Sequence, residues 1–411
     1  MNATIILFVA FKFKMNKIKP YIIWLVFSLI ALTFIGIVSL KLPFRGDERH
    51  IIETIRLFAN NFSINTIEDY PEVTPPFFYI FYALWAKIFN ASTESLRLLT
   101  LIISFMTWQL LYYLLKLFVK NEIHVLMLSV LIVINPYFFG TSVFVFTDML
   151  AILLSLAAVI TFVKNKITYF LILSSLAILC RQYAVIVPTS VILYSVINYT
   201  KDKTVSKNFI IGSCLTFIPL FVLFGIWGSI SPASGMEKWI VPNSYFYNPD
   251  YINTYLTFSA IYILPLTIIF NIKNKLNDKS LLFAAIITVF LSFFPIKTSI
   301  ATLEFTDYKT VGIVHNALVD FLGMESIGIK IILWFFLFVG CYISIELLNR
   351  LYFSIKIRSA EKETIFTLMW ILFLLIMPFS YQVWEKYLTM ILPFLVISIY
   401  LLMYPAKKWI K

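Results

Sequence analysis

The chain has 411 residues, of which 61% are hydrophobic and 13% charged, and its mean hydropathy is +0.90. Soluble domains carry about 25% charged residues, so the composition excludes a soluble protein and predicts an all-α integral membrane protein. The net charge of +12 does not indicate a nucleic-acid partner, because the basic residues lie in short clusters between apolar runs, as topology signals do.

The first apolar run, residues 21–40, is long enough to cross the hydrocarbon core of a bilayer. Residues 41–95 are the longest segment between apolar runs, and we interpret them as a first outer loop. Apolar residues recur at helical spacing in residues 47–62, which predicts an amphipathic helix on the membrane interface. A Thr-Pro-Pro turn at residues 74–76 ends any helix, and the aromatic segment 77–89 predicts a second interfacial helix.

Eleven further apolar runs complete a predicted set of twelve membrane spans in a single polytopic domain, residues 1–411. These runs lie at residues 97–118, 123–139, 143–163, 167–180, 183–199, 208–230, 254–271, 280–296, 327–348, 364–380 and 387–404. Residues 297–326 form a second long polar segment, which predicts a late outer loop.

The positive charges assign the loops to the two sides of the membrane. With a cytoplasmic N-terminus, every basic cluster falls on the cytoplasmic side, as the positive-inside rule requires. These clusters lie near residue 120 and at residues 164–166, 201–207, 273–279, 350–362 and 407–411. Most of the 21 carboxylates then lie on the outer face. Because acidic residues contribute little to topology, their position predicts a polar chamber formed by the outer loops.

Residues 167–199 contain two short apolar runs that meet at Arg181-Gln182. A single long helix is the alternative to two helices. The lysines on both flanks, at residues 164–166 and 201–207, must lie on the same side of the membrane. This requirement favours a hairpin with Arg181 at its outer turn, because a single crossing would invert every loop that follows.

Four elements on the predicted outer face carry candidate site residues, and Arg97 is a further candidate. The elements are Asp47-Glu48, Asp148 in the fourth span, Arg181-Gln182 at the hairpin turn, and Glu385-Lys386-Tyr387 at the head of the last span. A charge held near hydrocarbon is costly and is therefore a functional candidate. The alternatives are a solvated boundary loop for the acidic pair, a helix cap for Asp148, and interfacial snorkelling for the basic residues.

The three cysteines and three histidines are scattered, without CxxC or HExxH spacing. The sequence also lacks a DxD triad, the motif with which soluble nucleotide-sugar enzymes usually hold their metal. We therefore predict neither a metal site nor a cofactor.

The acidic pair after the first span, the Thr-Pro-Pro turn, a Leu-Arg-Leu opening of the next span and twelve spans together resemble the GT-C class of polytopic glycosyltransferases. The closest resemblance is to the α-1,2-glucosyltransferases of the endoplasmic reticulum that use dolichyl-phosphate glucose. Asp148 after an aromatic-Thr pair, Arg181-Gln182 and the Glu385-Lys386-Tyr387 run also match that family. The resemblance covers most of the chain, in order.

This resemblance implies transfer, with inversion, of a sugar from a polyprenyl-phosphate donor of the dolichyl-phosphate type. The acceptor would be a glycan, a lipid-linked glycan or a protein on the outer or lumenal face. A general base must lie about 2.6 to 3.2 Å from the proton it takes, and we expect Asp47 to fill this role with Glu48 beside it.

The remaining candidates are assigned to substrate binding. We expect Arg181, Lys386 and Arg97 to stabilise the negative charge of the departing lipid phosphate. We expect Asp148 and Gln182 to bind substrate as well, and membrane lipids to surround the spans.

Two other classes stay open. A transporter or lipid-linked sugar flippase would suit twelve spans with few charges, although the later half has no second copy of the acidic pair or of the Thr-Pro-Pro turn, as internal repeats would give. A glycan polymerase or ligase would carry its main charged loop late, and residues 297–326 leave room for it. The bias towards Ile, Lys, Asn and Phe favours a prokaryotic plasma membrane over the endoplasmic reticulum membrane.

Overall fold

The computed structural model describes residues 19–240, 247–270, 277–305 and 309–404. Within these ranges the chain forms α-helices and short 3₁₀ turns and has no β-strand, in agreement with the all-α prediction. The helices of the first half are α1 (Pro20–Ser39), α2 (Glu48–Asn60), α3 (Ile64–Glu68), α4 (Phe77–Phe89), α5 (Thr93–Phe118), α6 (Glu122–Val133), α7 (Pro136–Thr141), α8 (Thr147–Val163), α9 (Ile167–Cys180) and α10 (Ile186–Ile197). Those of the second half are α11 (Lys203–Leu215), α12 (Ile218–Trp227), α13 (Ala233–Trp239), α14 (Asp250–Ile269), α15 (Asp278–Leu291), α16 (Ile300–Phe305), α17 (Ile313–Leu322), α18 (Ile327–Lys356), α19 (Thr364–Ile376) and α20 (Leu388–Met403).

The twelve predicted apolar runs each coincide with one or two consecutive helical segments. Six helical segments of the described residues are long and apolar enough to cross a membrane. They are Pro20–Ser39, Thr93–Phe118, Lys203–Trp227, Asp250–Ile269, Ile327–Lys356 and Glu385–Met403. The chain is therefore a multi-pass membrane protein, and the total of twelve crossings stays a prediction.

The predicted break at Arg181 is confirmed. α9 ends at Cys180, Arg181 is extended with φ −149° and ψ 122°, and a 3₁₀ turn leads into α10. α9 packs against α8 and α11, whereas α10 packs against α11 and α19. The extended residue and the 3₁₀ turn interrupt the helix, so residues 167–199 do not form one long helix.

Loops that are predicted to be cytoplasmic lie together at one end of the helices. Asn198 accepts a hydrogen bond from the Ala360 amide at 2.9 Å, and Lys362 donates to the Val163 carbonyl. These contacts join the connections that follow α8, α10 and α18. The lysines of two further predicted cytoplasmic segments, Lys273 and Lys275 and those in residues 407–411, lie outside the described residues.

Connections that are predicted to be outer meet at the opposite end. Gln182 donates a hydrogen bond to the Val73 carbonyl at 2.6 Å, and Lys386 contacts Asp47. Arg181 forms an ion pair with Asp148 in the first turn of α8. Because α8 starts here and ends beside the basic loops, the two groups of loops lie at opposite ends of the bundle.

The two helices predicted in the first outer loop, α2 and α4, are both present. The apolar stripe of α2, formed by Ile51, Ile52, Ile55 and Phe58, is buried, and α2 packs against α4. The stripe therefore contacts protein and not lipid, because the aromatic α4 supplies a competing apolar surface.

Cysteine labelling checks the assignment of sides. In a variant that lacks the three native cysteines, Asn90→Cys should react with a membrane-impermeant maleimide in intact cells, because this exposed residue belongs to the first outer loop. Lys356→Cys, exposed at the end of α18, should react only after permeabilisation. Labelling of Lys356→Cys alone in intact cells, or equal labelling of both variants, would contradict this topology.

Candidate active site

A cleft opens where the outer connections meet, and we call it the outer chamber. Its lining comes from segments 47–51, 72–79, 146–148 and 381–387, together with Arg181 and Trp239. The predicted site residues that line it are Asp47, Asp148, Arg181 and Lys386. Glu48, Arg97 and Gln182 lie behind this lining, where each contacts the backbone or another side chain.

Asp47 directly precedes α2, a position at which an Asp side chain often caps a helix. It makes no capping bond; its carboxylate contacts the Lys386 ammonium and lies 3.8 Å from His50 Nε2. The side chain is 47% exposed, so a substrate can reach it. Burial within the chamber opposes ionisation, but Lys386 and His50 outweigh it and hold the pKa of Asp47 well below its usual range. Asp47 is therefore ionised at neutral pH.

The chamber also contains an ion pair that sequence reasoning missed. His50 Nδ1 lies 2.6 Å from Glu72 Oε1, and the Trp239 ring packs on the imidazole with centroids 4.6 Å apart. Burial opposes protonation of His50, but Asp47 and Glu72 raise its pKa to about 9. The sequence signal for Glu72 is its place two residues before the Thr-Pro-Pro turn.

The loop that carries Glu72 is fixed from two sides. Gln182 donates to the Val73 carbonyl at 2.6 Å, and Ser231 donates to the same oxygen at 3.0 Å. Gly235 in α13 packs so closely that an added Cβ would lie 2.3 Å from the Glu72 carbonyl oxygen. Gln182 thus holds this loop in place.

Asp148 lies in the first turn of α8 and not deeper in the span, because residues 143–146 are not helical. The Val145 amide donates to Glu48 and not to a helical carbonyl. Asp148 Oδ1 accepts hydrogen bonds from Arg181 Nη2 at 2.9 Å and Nε at 3.2 Å, and from the Tyr183 hydroxyl. Arg181 is 12% accessible, and its Nη1 makes no hydrogen bond to the part of the chain that the structure describes.

Lys386 and its neighbour Glu385 point in different directions at the head of the last span. Lys386 reaches Asp47 and is 18% accessible. Glu385 is buried and accepts hydrogen bonds from the Tyr262 hydroxyl at 2.6 Å and from the His315 amide at 2.8 Å. Glu385 therefore ties the start of α17, in the predicted late outer loop, to the backbone that carries Lys386.

The second member of the acidic pair faces away from the chamber. Glu48 and Arg97 are both fully buried and share two hydrogen bonds, of 2.6 and 2.8 Å. Glu48 also accepts from the Val145 amide at 3.1 Å. Arg97 Nη1 donates to the carbonyls of Ser39, at the end of α1, and of Leu42, just after it, each at 2.7 Å. Protein groups thus satisfy both ions, which favours a structural role over substrate contact.

Metal-binding side chains are not grouped in the part of the chain that the structure describes. No cluster of three or more His, Cys, Asp or Glu side chains there is arranged to hold a metal ion. Cys180 and Cys341 are buried and Cys214 is exposed, all as free thiols.

Arg97→Ala should destabilise the protein strongly, because it leaves Glu48 as an unpaired buried charge. Removing one partner of a buried ion pair costs about 3 to 5 kcal/mol. The matched control is Arg49→Ala, whose partner Glu53 is exposed on the same helix as Glu48, since an exposed pair contributes about 0 to 1 kcal/mol. Thermal unfolding of the detergent-solubilised protein measures both variants. Equal shifts in unfolding temperature would contradict the structural role of the buried pair.

The comparison with protein-family models gives no match, and the comparison with curated proteins gives none either. Among solved structures, the chain is similar to ArnT from Cupriavidus metallidurans in the apo state, with 12% sequence identity and a TM-score of 0.42. The similarity covers 93% of this chain and 75% of that chain. At this identity and score, the similarity carries no conclusion about fold or activity.

Proposed function

We propose that the protein is a membrane glycosyltransferase of the GT-C class, which transfers a sugar from a polyprenyl-phosphate donor to an acceptor hydroxyl in the outer chamber. One observation carries this proposal: a reachable carboxylate, Asp47, shares a cleft with two cations, Lys386 and Arg181, at the end of a membrane-embedded helical bundle. A lipid-linked sugar phosphate presents its anionic group at this level of the membrane.

Lys386 and Arg181 bind the phosphate of the donor in this proposal. Guanidinium and ammonium groups form strong charge-assisted hydrogen bonds with phosphate oxygens. Arg181 is held by Asp148 and lies 5.1 Å from the centre of the Tyr183 ring and 5.7 Å from that of Tyr387. Its orientation is therefore set before the donor binds, which is the condition for effective electrostatic stabilisation. Asp148 acts on the donor through Arg181.

Asp47 acts as the general base. It takes the proton from the acceptor hydroxyl while the hydroxyl oxygen forms a bond to the anomeric carbon of the donor sugar. The bond between the anomeric carbon and the phosphate oxygen breaks on the opposite face, and its electron pair leaves with the polyprenyl phosphate. A single displacement of this kind inverts the anomeric configuration. Arg181 and Lys386 meet the charge that develops on the leaving group.

Through Lys386, binding of the donor changes the basicity of Asp47. Without a donor, its ammonium contacts Asp47 and holds the pKa of that carboxyl low. When the ammonium turns towards an incoming phosphate, Asp47 loses part of this stabilisation and its pKa rises towards the pH of the reaction. A carboxylate is then a better base, so the base gains strength once the donor is bound.

The other predicted residues hold segments of the outer chamber in place. Glu48 and Arg97 fix the start of α2 beside Asp47, and Gln182 fixes the loop that carries Glu72. For the substrates we propose a hexose donor and a glycan, lipid-linked glycan or protein acceptor. For the location we propose a prokaryotic plasma membrane.

Asp47→Asn should abolish transfer while the protein still inserts and folds, because the amide keeps the size of the side chain but cannot take a proton. General-base catalysis contributes about 100- to 10,000-fold in rate, and we expect a loss of this size. The assay is transfer of labelled hexose from polyprenyl-phosphate hexose to a lipid and glycan extract by purified protein in liposomes.

The control for this variant is Glu53→Gln, which removes an exposed carboxylate from the outer surface of α2 and should transfer at the wild-type rate. Transfer by Asp47→Asn close to that of Glu53→Gln would remove Asp47 from the mechanism.

A further inference from the structure

We infer that His50 and Glu72 form a positioning pair for Asp47, in which the charged imidazole holds the Asp47 carboxylate towards the acceptor hydroxyl and makes transfer depend on the charge of one histidine. The inference rests on the proposed function, because it takes Asp47 as the general base. Neither His50 nor Glu72 is assigned a contact with substrate.

The three side chains form a continuous chain of polar contacts. Glu72 Oε1 lies 2.6 Å from His50 Nδ1, and His50 Nε2 lies 3.8 Å from Asp47 Oδ1. Each ring nitrogen therefore faces a carboxylate. At 2.6 Å the contact with Glu72 is a hydrogen bond, whereas 3.8 Å to Asp47 is an ion-pair distance. A neutral imidazole has a single N–H donor, so only the protonated ring can donate to Glu72 and also present an N–H and a positive charge to Asp47.

This chain of contacts runs from the protein interior to the open chamber. The accessible fraction of the side chain is 6% for Glu72, 22% for His50 and 47% for Asp47. Glu72 belongs to the loop that is held by Gln182, and the Trp239 ring covers the face of the imidazole. The inner end is thus fixed, and the outer end carries the group that reacts. Glu72 takes part in no step of the proposed reaction.

The charged groups around His50 come from several elements. α2 supplies Asp47, while Arg49 and Glu53 of the same helix pair with each other at the surface. The loop before the Thr-Pro-Pro turn supplies Glu72. α13 supplies Lys238, whose ammonium lies 4.7 Å from the centre of the Trp239 ring. The head of the last span supplies Lys386, which contacts Asp47.

Of these groups, the two carboxylates within 4 Å of the ring nitrogens decide the charge of His50. Burial lowers the proton affinity of His50, but Asp47 and Glu72 raise its pKa from 6.5 to about 9. A raised pKa means that the folded protein favours the charged ring. Its contribution is complete below about pH 6.5 and is lost as the pH rises through about 9. Above that pH the neutral ring of His50 has a single N–H, so either Asp47 or Glu72 no longer faces an N–H group.

The positioning role becomes essential once the donor binds. Lys386 is then drawn to the donor phosphate, and His50 is the cation that remains at Asp47. The imidazolium keeps the base oriented while the acceptor approaches. A neutral residue at position 50 would leave Asp47 free to rotate, and small errors in position cost up to about 100-fold in rate.

The test is the pH dependence of kcat for hexose transfer from polyprenyl-phosphate hexose in liposomes. Wild-type kcat should fall as the pH rises through about 9. His50→Gln should lower kcat about 10- to 100-fold, leave the donor KM unchanged and remove the alkaline decline. His50→Arg keeps a permanent charge and should retain activity at high pH. His124→Gln is the matched control, because His124 contacts Tyr400 on another helix, and it should follow the wild-type profile.

Nuclear magnetic resonance of histidine-labelled protein gives a readout that does not depend on activity. The chain has three histidines, so the His50 signal is the one lost in His50→Gln. It should titrate near pH 9 in the wild type and below its ordinary value of 6.5 when Asp47→Asn and Glu72→Gln are combined, because burial then acts on the ring without the two carboxylates.

Two results would overturn the inference: titration of His50 near 6.5 in the wild type, or wild-type kcat and pH profile in His50→Gln. The titration is read without an activity assay, and the kinetic result is read on a protein that transfers sugar. A wild-type protein that transfers no sugar from this donor would instead contradict the proposed function.

Discussion

The buried ion pair between Glu48 and Arg97 is the constraint on which the outer end of the protein depends. The pair connects the first turn of α2 to the start of α5, and Arg97 also donates to the carbonyls of Ser39 and Leu42, at the end of α1 and just after it. The Val145 amide adds the connection before α8. A buried charge without a partner is far less stable than a paired one, so the fold favours the arrangement in which these segments meet. Asp47 precedes Glu48 directly, and its place in the chamber follows from this arrangement.

Several charged side chains of the outer chamber each have two partners, and these contacts connect donor binding to the action of the general base. Lys386 contacts Asp47 and is also one of the two cations that bind the donor phosphate in our proposal. His50 contacts both Asp47 and Glu72. Glu385 holds the start of α17 against the same short turn that carries Lys386. A movement of the late outer loop would therefore be transmitted to Asp47, because Glu385 holds this loop and the next residue, Lys386, contacts Asp47.

Much of the helical layout can be predicted from the sequence, because length, hydropathy and positive charge are local properties. The break at Arg181 is an example, since the lysines on both flanks require it. The start of α8 could not be predicted, because residues 143–146 are not helical and the Val145 amide donates to Glu48, a residue 97 positions away. The stripe of α2 was expected to face lipid, and periodicity alone cannot tell lipid from an aromatic neighbour such as α4.

The site could be predicted in part for the same reason. Asp47, Asp148, Arg181 and Lys386 are charges at the ends of apolar runs, and the structure brings them to one cleft. The sequence does not reveal that Asp47 and Glu48 face opposite ways, because the partners of each lie far along the chain. Lys386 is 339 positions from Asp47. Glu72 was missed because a lone acid in a loop resembles a solvated residue until the contact with His50 is known.

The identity of the donor tests the central claim most directly. Purified protein in liposomes can be offered the same labelled hexose either as a polyprenyl phosphate or as a nucleotide sugar with added divalent metal. We expect transfer from the polyprenyl phosphate, with inversion at the anomeric carbon and release of the lipid phosphate, and no transfer from the nucleotide sugar. Transfer from the nucleotide sugar alone would contradict this account.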